Sequence, residues 1–190
     1  MARGLPRTLQ RAAARAAGVA VPKAGFSIKT SGSGNRFTSI LTFNAMQMTV
    51  TDALAYASQK LFDFADGKIR INGGTAKLQF AVLTTRASTI NDSASLTWGL
   101  GSAAASSATL ASTMQNFIAV TTRTLDGATT ALSTASTADV VSPATLDGTG
   151  TAIDLYLNVA FATGTDIDAD GTIAVTGTIT LLWEQWGDNV

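Results

Sequence analysis

Period-two alternation near the C-terminus constrains the fold of this chain more than any other feature. In residues 154–161 the odd positions Leu155, Leu157, Val159 and Phe161 are apolar, while Asp154, Tyr156 and Asn158 between them are more polar. In residues 172–183 the odd set Ile173, Val175, Ile179, Leu181 and Trp183 faces a set containing Thr172, Thr176, Thr178 and Thr180. Successive side chains of a strand point to opposite faces, so this pattern predicts a sheet with one face buried.

Weaker versions of the pattern recur upstream. Phe37, Leu41 and Phe43 are followed by Met46, Met48 and Val50, the latter alternating with Gln47 and Thr49. Leu96, Trp98 and Leu100 alternate with Ser95, Thr97 and Gly99, and residues 117–123 form another β-rich run. Residues 68–71 and 76–83 flank Asn72-Gly73-Gly74, a hairpin signal. Residues 101–114 and 128–142 are rich in Ala, Ser and Thr and read as short helices or long loops. Thr124-Leu-Asp-Gly-Ala and Thr145-Leu-Asp-Gly-Thr are read as turns rather than as an internal repeat. Many strands with little helix predict an all-β fold, an antiparallel β-sandwich of jelly-roll type.

Charge divides the chain in two. Seven basic residues (Arg3, Arg7, Arg11, Arg15, Lys23, Lys29 and Arg36) precede Asp52, the first carboxylate. After them come six basic and thirteen acidic residues, with no Lys or Arg beyond Arg123. The formal net charge of zero therefore hides a cationic arm on an anionic body. The expected division is residues 1–36 as a basic arm with a Gly/Ser linker at 30–35, and residues 37–190 as the sandwich domain. Arg3, Arg7, Arg11 and Arg15 recur every four residues within a segment whose residues 8–17 favour helix, placing them on one stripe. A helix this short is marginal alone in water, so it is expected to form against a surface. The apolar stretch 16–21 is too short for a secretory signal core and is closed by Pro22 and Lys23, so the arm is expected to remain and be tied down.

Charged residues make up only 14% of the chain, against roughly 25% in typical domains. A coat of Thr and Ser suits strands and a surface partly covered by other subunits. Cysteine and histidine are absent, which excludes disulfides, Cys/His zinc sites, thiol nucleophiles and Ser-His or Cys-His triads. No apolar run approaches the roughly 18–20 residues of a membrane helix.

Few motifs suggest chemistry. Asp166-Ile-Asp168-Ala-Asp170-Gly171 copies the first half of a calcium loop, but the position of its closing Glu holds Gly177. A polar hairpin tip is the favoured reading, with weak calcium binding left open. Glu184 is the sole Glu, flanked by Trp183 and Trp186. A Trp-flanked acid can mark a sugar site, but no second carboxylate is singled out for glycoside hydrolysis. The alternative is a strand end with Trp183 in the core. Gly32-x-Gly34 and Gly99-x-Gly101 lack the rest of a phosphate-loop fingerprint. No catalytic residue, metal or cofactor is expected. For the arm, docking on protein ranks above nucleic acid, and nucleic acid above lipid. Its remaining positions are Ala, Leu and Val rather than base-stacking groups or bulky membrane anchors.

The stretches Val50-Thr-Asp-Ala-Leu-Ala-Tyr-Ala-Ser-Gln-Lys-Leu-Phe-Asp-Phe-Ala-Asp-Gly-Lys-Ile, Arg86-Ala-Ser-Thr-Ile-Asn-Asp-Ser-Ala-Ser-Leu-Thr-Trp-Gly-Leu-Gly and Leu110-Ala-Ser-Thr-Met-Gln resemble head structural proteins of tailed bacteriophages, among them capsid decoration (cement) proteins. The resemblance covers about residues 50–120 and leaves the arm outside. It implies a β-rich virion subunit, often a homotrimer, made in the host cytoplasm and bound to the major capsid protein on the outside of the shell. It carries no catalytic motif. Two other expectations are a head-fibre or receptor-binding module that contacts glycans through loops 101–114 and 128–142, and a self-assembling jelly-roll coat protein with a nucleic-acid-facing arm.

Overall fold

The computed structural model describes residues 18–83, 90, 94–125, 131–140, 144–161 and 166–186. The helix expected over residues 8–17 and its stripe of Arg3, Arg7, Arg11 and Arg15 lie outside the described residues.

Among the described residues, eleven strands form two antiparallel sheets that pack face to face. The first sheet has the order β1 (Val19–Ala20), β4 (Tyr56–Asp63), β10 (Asp154–Phe161), β6 (Ser95–Gly101), β7 (Ile118–Thr124). The second has the order β2 (Phe26–Ser33), β3 (Arg36–Val50), β11 (Gly171–Gln185), β5 (Gly67–Val82), β8 (Ser136–Asp139), and β9 (Ala144–Gly148) also pairs with β5. The protein is a β-sandwich, as the alternation predicts. From β3 to β6 the chain changes sheet at every step, and from β7 onward it retraces its route. The pairs are therefore nested: β6 with β7, β5 with β8 and β9, β4 with β10, and β3 with β11.

The expected apolar positions fill the space between the sheets. Leu155, Leu157, Val159 and Phe161 of β10 face Ile173, Val175, Ile179, Leu181 and Trp183 of β11, and all are buried. Trp183 stacks on Phe37 at 4.5 Å and meets the edge of Phe64 at 4.9 Å. Such ring pairs contribute about 0.5–1.5 kcal/mol beyond their buried area. Each buried tryptophan also satisfies its indole N–H. Trp183 Nε1 donates to Ser39 Oγ at 3.0 Å, and Trp98 Nε1 to Ser136 Oγ at 3.1 Å.

Three local expectations are corrected. Asn72-Gly73-Gly74 is not a hairpin: β5 runs straight through it, and its register against β11 shifts between Leu182 and Trp183. The bulge explains why the buried positions change from Ile69 and Ile71 to Ala76, Leu78, Phe80 and Val82. Gly74 has φ +148°, and a Cβ there would lie 2.1 Å from the Thr180 carbonyl oxygen, so the glycine is needed for a close approach of strands. A second bulge, at Ala45 with φ +52°, moves the buried set of β3 from Leu41 and Phe43 to Met46, Met48 and Val50.

The linker expected at residues 30–35 is strand and turn. Residues 26–33 pair with 36–43 over the whole length of β2, so the division at residue 36 falls inside a hairpin of the second sheet. Gly and Ser count as flexible only when nothing pairs with their backbone, and here β3 does. Finally, Asp166–Asp170 is not a hairpin tip, because β10 and β11 belong to different sheets. The segment crosses between them, with Ile167 buried and bridged to Ile90.

Candidate functional site

The three described arm residues do not gather at one point. Residues 19–33 run along one flank of the sandwich, closing the first sheet through β1 and the second through β2. Val21 N–H donates to the Leu61 carbonyl as the chain passes between them. Lys23 lies exposed in this crossing, Lys29 lies exposed on β2, and Val19 beside β4 is 69% exposed. Residues 1–17 thus join the body at a flank where two edge strands and two lysines are presented together.

Arg36 stands elsewhere, at the hairpin turn, opposite Glu184 of β11. Its Nε donates to Glu184 Oε1 at 2.9 Å, while Trp186 Nε1 donates to Glu184 Oε2 at 3.2 Å. The indole N–H, followed by the guanidinium, holds the Glu184 carboxyl below the usual carboxylate range, and Asn72 adds a further hydrogen bond. Trp183 is buried, as expected of a strand end, whereas Trp186 is exposed. Beside these groups an open cleft of about 610 Å³ is lined by Arg36, Thr38, Asn72, Leu182 and Glu184 among others. The one cue to it in the sequence is the sole Glu beside Trp186; Arg36 and Asn72 join it only through strand register.

A second polar cluster lies where β4 bulges against β10. Lys60 Nζ donates to Asp154 Oδ1 at 2.7 Å and to Asp63 Oδ2 at 3.3 Å, and Tyr156 donates its hydroxyl proton to Asp154 Oδ2 at 3.0 Å. The hydrogen bond to Asp154 raises the Lys60 pKa, and burial followed by the same carboxylate raises that of Tyr156. The cluster ties the bulge together.

Residues 102–117 fold down over the outer face of the first sheet and contribute only a 3-10 turn, Ser112–Met114. Asn158, fully buried on that outer face, pins them. Its Nδ2 donates to the carbonyls of Ala103 at 2.9 Å and Met114 at 2.7 Å, and its Oδ1 accepts from Ala105 N–H at 3.0 Å and Ser58 Oγ at 2.6 Å. Of the expected loop 128–142, residues 136–139 are β8, while 126–130 and 141–143 lie outside the described residues.

Asp170 Oδ1 accepts the Asp52 backbone N–H at 3.0 Å, so this carboxylate ties the segment before β11 to the chain just after β3. Among the described residues no group of three or more Asp or Glu side chains is placed to hold a metal ion. Nor does any helix among them have the length and apolarity to cross a membrane. No protein-family model matches this sequence, and no curated protein matches it either.

Proposed function

We propose that this protein is a structural, non-enzymatic virion component that binds the outer surface of a phage capsid and stabilises the shell, anchored in part by its N-terminal arm. The observation that carries the reading is the charge division: seven cations and no carboxylate before Asp52, leading into a flank that presents Lys23, Lys29 and two edge strands. A cationic extension tethered to a rigid body adds a second contact at high effective concentration, which suits a shell made of many repeated weak contacts. The nested strand pairing is that of a long hairpin rolled into two sheets. It supports a jelly-roll type of sandwich, a frequent design in capsid domains. The reading takes the major capsid protein as partner and a homotrimer as the assembled form, consistent with the resemblance of residues 50–120 to phage head proteins and with the low charge of the body.

The receptor-binding alternative through loops 101–114 loses support, because residues 102–117 are fastened to the sheet and expose no aromatic side chain. Co-sedimentation with empty, undecorated phage shells at low and high salt tests the proposal. Saturable, salt-sensitive binding that is lost when Arg3, Arg7, Arg11 and Arg15 are all changed to Gln is the expected result. Full-affinity binding by that variant would sink the arm as anchor. Absence of binding, with particles formed by the protein alone, would favour a self-assembling coat subunit.

A further inference from the structure

The cleft beside Glu184 lies at the end of β2 away from Lys23 and Lys29, lined in part by Gly32 and Ser33, and its chemistry points to a ligand of another kind. Leu182 and Glu184 lie on the outer face of β11 and Trp186 directly follows its last residue, with Leu182 and Trp186 44% and 39% exposed. A large indole left in water is fixed there, because its Nε1 is bonded to Glu184. Arg36 bonds Glu184 through Nε and is otherwise 81% exposed, so its guanidinium still has donors to offer. Asn72 and Thr38 add an amide and a hydroxyl to the same cleft.

An exposed, oriented aromatic plane next to a carboxylate, a guanidinium and an amide is the complement of a sugar ring. The ring has an apolar C–H face to stack and a rim of hydroxyls that both donate and accept. A guanidinium donates to neighbouring hydroxyl oxygens in a plane and an amide both donates and accepts, while Glu184, already accepting from Arg36 and Trp186, orients these groups. We propose that this cleft and the Trp186 plane beside it bind a pyranose glycan, with one ring on Trp186 and neighbouring hydroxyls held by Arg36 and Asn72. The cleft volume, about 610 Å³, falls within the range of roughly 300–1,000 Å³ typical of small-ligand sites. Its openness to solvent predicts weak monovalent binding, with a dissociation constant on the order of 1 mM. Avidity would then come from multiple copies. The inference does not depend on the capsid reading: a glycan site here requires neither residues 1–17 nor a shell.

Tryptophan fluorescence gives a direct test, because Trp98 and Trp183 are buried and Trp186 alone is exposed to a ligand. The full-length protein is titrated with maltose, cellobiose, lactose and chitobiose up to about 20 mM. The expected result is a saturable change with at least one of them, absent in Trp186→Ala. Asn72→Ala, a change at an exposed position, should weaken it about tenfold, the effect of one lost hydrogen bond to a hydroxyl. No saturable change with any of the four sugars overturns the proposal. So does a change that survives in Trp186→Ala, or one that Asn72→Ala leaves untouched. Circular dichroism of both variants confirms that the sandwich is intact.

Discussion

Asn158 and Ser58, one hundred residues apart in the chain, share a 2.6 Å hydrogen bond under a segment that covers the first sheet. Asn158 uses all four of its side-chain hydrogen-bonding positions there, two donated and two accepted. Asn158→Ala strips partners from the Ala103 and Met114 carbonyls and should cost about 2–4 kcal/mol. Ser58→Ala should cost only about 1 kcal/mol, because Ala105 N–H keeps Asn158 as acceptor. Urea unfolding measures both. Faster amide exchange confined to residues 102–117 would separate loosening of the cover from global unfolding.

The two buried indoles make a parallel case. Ser39→Ala and Ser136→Ala each leave a tryptophan N–H unpaired in the core, at an expected cost of about 1–3 kcal/mol apiece. The pairs share no partner, so the double variant should lose the sum of the two to within about 0.5 kcal/mol. Clear non-additivity in denaturant unfolding would mean that the two ends of the core are coupled.

Gly74→Ala should destabilise by more than about 1 kcal/mol, since the added methyl meets the Thr180 carbonyl and the backbone has positive φ. Gly150 has open space around its would-be Cβ. Its replacement by Ala should be neutral or stabilising by about 0.5 kcal/mol. A thermal melt of the two variants side by side checks whether the bulge in β5 or glycine content in general sets the stability.

Alkaline pH should weaken the fold through the β4–β10 cluster. The pKa of Lys60 is raised above its ordinary 10.5 by Asp154, and that of Tyr156 above 10.0 by burial and the same carboxylate. Both groups bind their protons more tightly in the folded state. Their contribution is complete below the ordinary values and is lost as pH climbs through the raised ones. The denaturant midpoint should therefore fall above about pH 10, and more shallowly in Asp154→Asn. The Lys60 pair is partly solvated, so its share should stay below about 1 kcal/mol.

What the sequence conveys about this fold depends on how local the determining contact is. The alternation in β10 and β11 needs only neighbours in the chain, and it identifies the sandwich and the residues that fill it. The phase changes after Phe43 and Ile71 are also present in the sequence. Read locally, they look like the end of one strand or a hairpin, because Asn-Gly-Gly favours a turn. Pairing with β11 decides otherwise. The same limit applies to Thr30–Asn35, where β3 turns a linker composition into a strand. Asn158 reads as an ordinary outward polar residue until residues 103–114 are laid over it. Arg36 is separated from Glu184 by 148 positions, so its role as a partner is settled by register alone.

That placement changes how the arm should be cut. Removing residues 1–36 would also remove β1 and β2, with Phe26 packed 5.3 Å from Phe43 and eight residues paired to β3. The edge left behind would bare Leu41 and Phe43 beside unpaired backbone, a form prone to aggregation. Removing residues 1–17 takes away Arg3, Arg7, Arg11 and Arg15 and leaves both edge strands. The shorter deletion should melt within about 2 °C of the full chain, a shift worth less than about 1 kcal/mol, and should lose salt-sensitive binding to shells. The longer one should aggregate or unfold at low denaturant. If the longer deletion proved as stable as the shorter, β2 would be dispensable to the sandwich and loss of shell binding could be assigned to all seven cations together. If the longer deletion alone unfolds, only the 1–17 cut can report on the arm.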